Sequence, residues 1–69
     1  MKRELVESSV IASIGYDEVN KILEIEFKRG TIYRYSNVPI KIYNEFKSSS
    51  SHGSYFNGKI RNEYKNSKI

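Results

Sequence analysis

Ser51-His52-Gly53-Ser54, followed by Tyr55, Asn57, Arg61 and Lys65, is the stretch of this chain whose residue types could do chemistry, and that chemistry is the holding of an anion. Serine hydroxyls and the free backbone N–H groups of a helix start donate to phosphate oxygens, and glycine at 53 lets a ligand come close to the backbone. Farther on, the guanidinium of Arg61 matches phosphate with its planar fork, and Lys65 adds a positive charge one turn later. Tyr55 falls outside the apolar stripe of such a helix and is the ring expected to stack on a base or sugar. Ordinary capping with a solvated basic face accounts for the same residues without a ligand. The segment lacks the Gly-Lys-Ser/Thr ending of a P-loop, and no dinucleotide-fold spacing is present.

Catalysis is not expected. His52 has serines 50, 51 and 54 as neighbours, but sequence neighbours at a helix start rarely reach nucleophile–base geometry, and no acid is placed to orient the imidazole. Glu24 and Glu26 could act as paired carboxylates, yet Arg34 and Lys28 nearby make solvated cross-strand charge pairs the simpler account. The chain has no cysteine and one histidine. It therefore offers neither a disulfide framework nor a thiolate or His-rich metal site, and no metal or cofactor is expected.

Composition sets the remaining bounds. The chain has 69 residues, a net charge of +4 and a pI near 9.4. That length makes one domain, residues 1–69, able to bury only about 60% of the surface that its unfolded form exposes. The basic balance favours anionic partners. No apolar run approaches the roughly 20 residues of a membrane span, and Met1-Lys2-Arg3-Glu4-Leu5 lacks the apolar stretch of a signal peptide. The expectation is a cytoplasmic protein with no membrane partner.

The elements that must position these groups read as follows. Leu23, Ile25 and Phe27 alternate with Glu24, Glu26 and Lys28, the period of a strand with one buried face. A four-residue turn at 17–20 would set Tyr16 opposite Lys21, Ile14 opposite Leu23, Ala12 opposite Ile25 and Val10 opposite Phe27. A three-residue loop, Lys28-Arg29-Gly30, with Gly30 left-handed, would set Thr31 opposite Phe27, Tyr33 opposite Ile25 and Tyr35 opposite Leu23. A two-residue loop would aim Arg34 at the core, so the three-residue loop is preferred, and Arg34 then faces Glu24 on the outer side. Tyr33 and Tyr35 are accordingly structural, with their rings on the core side. Ile11, Ile22 and Ile32 are left on the outer face, where they could meet the N-terminal arm or another subunit.

Val38-Pro39 marks the end of the sheet, because proline disfavours helix at the preceding residue and suits a helix start. A helix over about 39–47 puts Val38, Ile42 and Phe46 on one stripe with Tyr43 beside it. A second helix, capped by Ser51 or Ser54 and ending near Lys65, has Phe56, Ile60 and Tyr64 as its inner stripe. Residues 1–7 and 66–69 read as frayed arms flanking an ordered core of about 8–65. The fold class is α+β: a three-stranded antiparallel β-meander followed by two short helices packed on one face.

Several of these residues together carry a family resemblance. Tyr33-Arg34-Tyr35, Val38-Pro39, Tyr43, Phe46, Ser51 to Asn57, Ile60, Arg61 and Tyr64, preceded by Ser8-Ser9, residues 13–17, residues 23–27 and Gly30, resemble the KTSC domain, whose hallmark is a central Tyr-x-Tyr. That family occurs at the C-terminus of some lysyl-tRNA synthetases and as free-standing small proteins of bacteria and their phages, and RNA binding is its usual proposed role. The resemblance, the charge and the aromatic-basic C-terminal region lead to one expectation: a non-catalytic module for a phosphate-bearing ligand, RNA or single-stranded nucleic acid first. A small nucleotide signal sequestered by a homo-oligomer is the second reading, and a protein-interaction adaptor using the outer sheet face is the third.

Overall fold

The computed structural model describes residues 3–69. Five strands form one antiparallel sheet in chain order: β1 (Arg3–Leu5), β2 (Ile11–Asp17), β3 (Ile22–Phe27), β4 (Ile32–Tyr35) and β5 (Asn66–Lys68). Between β4 and β5 run α1 (Ile40–Ser48) and α2 (His52–Tyr55), the latter continued by a π-helical turn (Phe56–Ile60). The α+β class and the central meander match the sequence reading, but the sheet has five strands rather than three. Both expected arms supply the difference. Residues 3–5 pair with β2, and residues 66–68 pair with β4; residues 1 and 2 lie outside the described residues. Three-residue edge strands carry too little pattern to be read from sequence, since the backbone ladder rather than a buried side-chain face holds them.

Between β3 and β4 the expected register holds: Leu23 opposes Tyr35, Glu24 opposes Arg34 and Ile25 opposes Tyr33. Phe27 N–H donates to the Thr31 carbonyl at 2.8 Å, and Gly30 sits at φ 102°, the left-handed conformation that the loop requires of a glycine. Between β2 and β3 the register departs from expectation by two residues. Tyr16 opposes Leu23 and Ile14 opposes Ile25. Asp17 is the cause. Its carboxylate accepts from the backbone N–H of Val19 (3.0 Å) and of Asn20 (3.2 Å) and from the Asn20 side-chain amide (2.9 Å), so the turn lies beyond Asp17, which itself pairs with Ile22. Those bonds, the Asn20 amide foremost, hold the Asp17 carboxyl below its usual range.

A shift of two keeps every side chain on its face, so Ile14 and Tyr16 still point inward. The irregularity between Ile11 and Ser13 does not. This bulge turns Ile11 into the core opposite Phe27, where it is fully buried, and leaves Val10 half exposed. Ile11 was expected on the outer face and Val10 inside; burying the larger isoleucine next to Phe27 removes more apolar surface from water than Ala12 would.

Both helices pack on the inner face. The core consists of Ile11, Ile14, Leu23, Ile25, Phe27, Tyr35, Val38, Phe46, Phe56 and Ile60, with Tyr16, Tyr33, Ile42, Tyr43, Tyr55 and Tyr64 packed against it. Of the expected stripes, Val38, Phe46, Phe56 and Ile60 are buried and Ile42 and Tyr64 half-buried, with Val38 just before α1 and Tyr64 beyond the end of the second helix. Tyr16 and Tyr43 stack with ring centres 4.8 Å apart, and the Tyr16 hydroxyl donates to the Val38 carbonyl. Pro39 caps α1, which therefore starts one residue later than expected, and its carbonyl accepts from Ile42 and Tyr43. The second helix ends at Ile60 rather than near Lys65. Its last turn widens, Arg61 N–H reaching the Phe56 carbonyl at 2.9 Å, and Ser36 N–H then binds the Lys65 carbonyl at 2.8 Å, which leads the chain into β5.

Among the described residues no helix covers the outer face, yet Glu24 there is only 7% exposed. Arg34 Nε donates to its Oε2 at 2.9 Å, and Arg3 Nη1 lies 3.1 Å from Oε1 as an ion pair without hydrogen-bond alignment. Glu26 accepts from the Ser13 hydroxyl at 2.9 Å. The carboxylates are therefore held structurally, Glu24 beneath two guanidiniums rather than in open solvent as the sequence suggested. No helix of the described residues is long and apolar enough to cross a membrane.

Candidate ligand-binding groove

The β3–β4 hairpin, β4 and the π-helical turn enclose a groove of about 600 Å³. Its inner wall is aromatic: Phe27, Tyr33, Tyr35 and Phe56. The strand period sends Tyr33 and Tyr35 inward, and the π-helical turn brings Phe56 onto them. Ring centres lie 5.4 Å apart for Phe27 and Phe56 and 5.6 Å for Tyr35 and Phe56, both edge to face, so this wall is rigidly interlocked. Burial pushes the Tyr35 phenol up from its usual pKa, with Tyr33 adding to the rise and Arg61 opposing it.

The mouth of the groove is cationic. Lys28 and Arg29 come from the hairpin loop and Arg61 from the end of the π-helical turn, with Asn57, Asn62 and Asn66 around them. Arg29 Nε donates to the Thr31 hydroxyl at 3.1 Å, and its guanidinium carbon lies 6.0 Å from the Phe27 ring centre. Among the described residues, none of these three cations enters a salt bridge, and no aspartate or glutamate lines the groove. Three uncompensated positive charges over an apolar aromatic floor make a place for an anion with an attached ring.

A second, smaller groove of about 300 Å³ adjoins it, lined by Ser8, Ser50, Ser51, His52, Gly53 and Ser54 among others, and sharing Ser9, Val10, Gly53 and Asn57 with the first. The residues singled out from sequence divide between these places. Gly53, Asn57 and Arg61 reach the large groove, and Ser51, His52 and Ser54 only the small one. Tyr55 and Lys65 line neither.

Local bonding explains this division. Ser51 Oγ accepts from Ser54 N–H at 3.4 Å, an ordinary cap on a helix too short to have much dipole. His52 is turned toward α1: its Nε2 lies 3.2 Å from the Lys47 carbonyl, its ring meets Phe46 edge to face, and its Nδ1 is buried without a partner. Tyr55, expected to be exposed, stacks on Phe46 with ring centres 5.7 Å apart and donates to Glu45 at 2.8 Å. Burial and that bond push its phenol up to about 12. Arg29 was read only as a loop residue and Lys28 also as a charge partner of the glutamates, although their charge beside a left-handed glycine was visible in the sequence.

A sheet with two helices on one face and a Tyr-x-Tyr strand at the groove defines a two-layer α+β domain, and the comparisons with known proteins place it further. Residues 7–64 match the KTSC domain model, so the chain belongs to the KTSC domain family. The crystal structure of a KTSC domain protein from Yersinia pestis superposes with a TM-score of 0.94 at 42% identity, covering 99% of this chain and 96% of that one. An uncharacterised protein of Stutzerimonas stutzeri is 42% identical over 57 residues, 83% of this chain and 80% of its own. A lysine–tRNA ligase of Nostoc punctiforme is 34% identical over 59 residues, which are 86% of this chain but only 10% of that enzyme.

Proposed function

We propose that this domain is a non-catalytic binding module for a phosphate-bearing, nucleotide-built ligand, RNA or single-stranded nucleic acid foremost. The observation that carries the reading is the acid-free groove in which Lys28, Arg29 and Arg61 surround an aromatic wall. Phosphate is drawn by the cations, chiefly through the arginine forks, and a base or sugar packs against the exposed part of Tyr33. Support also comes from the lysine–tRNA ligase relatives, whose name puts tRNA among their substrates. The nearest serine–histidine neighbours do not pair: His52 Nε2 bonds the Lys47 carbonyl, and Ser51 Oγ serves as a cap.

Titration of the purified protein at low salt with oligoribonucleotides, oligodeoxyribonucleotides and free nucleotides tests the proposal. Saturable binding that Arg61→Ala weakens about tenfold or more is expected, the scale of a hydrogen bond to a charged group. A protein that binds none of them has another role, and the open outer sheet face then becomes the surface to probe with protein partners.

A further inference from the structure

Resting on the reading of the groove as a nucleotide site, we propose that it holds one nucleotide unit, either a free nucleotide or the end of a strand, and does not grip the interior of a long single strand. The rings give the first reason. Of the four that line the groove, Phe27, Tyr35 and Phe56 are 8%, 4% and 7% exposed and interlock with one another, which leaves Tyr33, half-buried, as the ring with surface to offer. Platforms for long single strands instead stack successive bases on successive rings.

The charges give the second. Lys28, Arg29 and Arg61 gather at one mouth, whereas Lys59, Lys65 and Lys68, the cations next along the chain, do not line the groove, and three others are held in ion pairs. Arg3 and Arg34 both bind Glu24 on the outer sheet face, and Lys47 binds Glu4 at 3.1 Å beside α1. The groove's volume gives the third, because about 600 Å³ falls among small-ligand sites, which run about 300–1,000 Å³. Asn57, Asn62 and Asn66 on the rim each carry a donor and an acceptor, which suits the edge of one base.

The test compares four probes at low salt: 5′-AMP, a linear oligoribonucleotide of about 4 nucleotides, a linear one of about 20, longer than the roughly 4–16 that a single-strand platform covers, and the longer one covalently closed into a circle. Both linear strands should bind with affinities within a few-fold of each other, and the circle at least about tenfold more weakly. Affinity for the linear strands should fall with salt with a log–log slope no steeper than about −1.4, that of the one or two phosphates of a single nucleotide unit. If 5′-AMP displaces the linear strand, the site takes free nucleotides; if it does not, while the circle still fails to bind, the site takes a strand end. A circle that binds as tightly as its linear form, or an affinity that keeps rising with length, overturns the one-nucleotide proposal and leaves the binding function standing. Failure of all four probes overturns both.

Discussion

Two regions of the molecule contain the same kinds of residue and use them differently. Where α1 meets α2, Phe46, His52, Tyr55 and Glu45 are largely engaged: ring packs on ring, the phenol donates to the carboxylate, and the imidazole Nε2 meets the Lys47 carbonyl, with His52 Nδ1 left without a partner. At the groove, Lys28, Arg29 and Arg61 stand over an equally aromatic wall with no lining acid to neutralise them. Aromatic and polar residues close together are thus no sign of a site in themselves. Whether their bonding capacity is already taken is what separates the seam from the groove.

Breaking the seam should have the largest effect. Phe46 is fully buried, and Phe46→Ala should cost about 3–5 kcal/mol, comparable to the whole stability of a domain this small. Thermal denaturation followed by circular dichroism should then lose its cooperative transition at ambient temperature; a transition near that of the wild type would remove Phe46 from the centre of the account. Arg61→Ala, at the groove, should do the reverse. It should melt as the wild type does while losing roughly tenfold in affinity for oligoribonucleotides, and a variant that binds equally well would move the site elsewhere.

A smaller effect distinguishes the two regions by pH. Tyr55 has a folded pKa pushed up to about 12 by burial and by its bond to Glu45. The unfolded value is about 10, so the fold favours the un-ionised phenol. That contribution is complete below about pH 10 and is lost as pH rises through about 12. Tyr16, Tyr35 and Tyr43 are displaced in the same direction, chiefly by burial. Stability measured by urea denaturation should therefore decline above about pH 10, and Tyr55→Phe should make the decline shallower. A variant whose alkaline profile matches the wild type's would mean that the Tyr55–Glu45 bond does not persist in solution.

The smallest effect belongs to Gly53, where the two grooves meet. A methyl group there finds only Ser8 Oγ, at 4.0 Å, so the fold has room for it. Gly53→Ala should raise stability by about 0.4–1 kcal/mol, through a less flexible unfolded chain, and weaken oligoribonucleotide binding a few-fold by keeping the ligand from the backbone. A stabilised variant with unchanged affinity would place the ligand away from residue 53.

What the sequence disclosed, and what it withheld, follows the range of the interactions. The β3–β4 hairpin was legible because one slip would have driven Arg34 into the core, a penalty that decides the register locally. The β2–β3 turn was not, because Asp17 capping Val19 and Asn20 moves the turn without moving any side chain to the other face, and hydrophobic pattern is blind to such a shift. The bulge that exchanges Ile11 for Ala12 depends on packing beside Phe27, which is tertiary information. Gly53 and Arg61 were singled out from residue chemistry and Asn57 with the family motif, and all three line the groove. Lys28 and Arg29 escaped because the groove joins them to Arg61 across more than thirty positions of chain, and Tyr55 misled because Phe46 and Glu45, its partners, lie on another helix.

Whether the ligand occupies the groove is decided by a ¹⁵N–¹H NMR titration of the wild-type protein with a short oligoribonucleotide. Backbone shifts should concentrate at Arg29, Gly30, Tyr33, Asn57 and Arg61, with Tyr55 and the outer-face residues Gly15, Glu24 and Arg34 unmoved. Shifts concentrated on that outer face, or none at saturating ligand, would contradict binding in the groove.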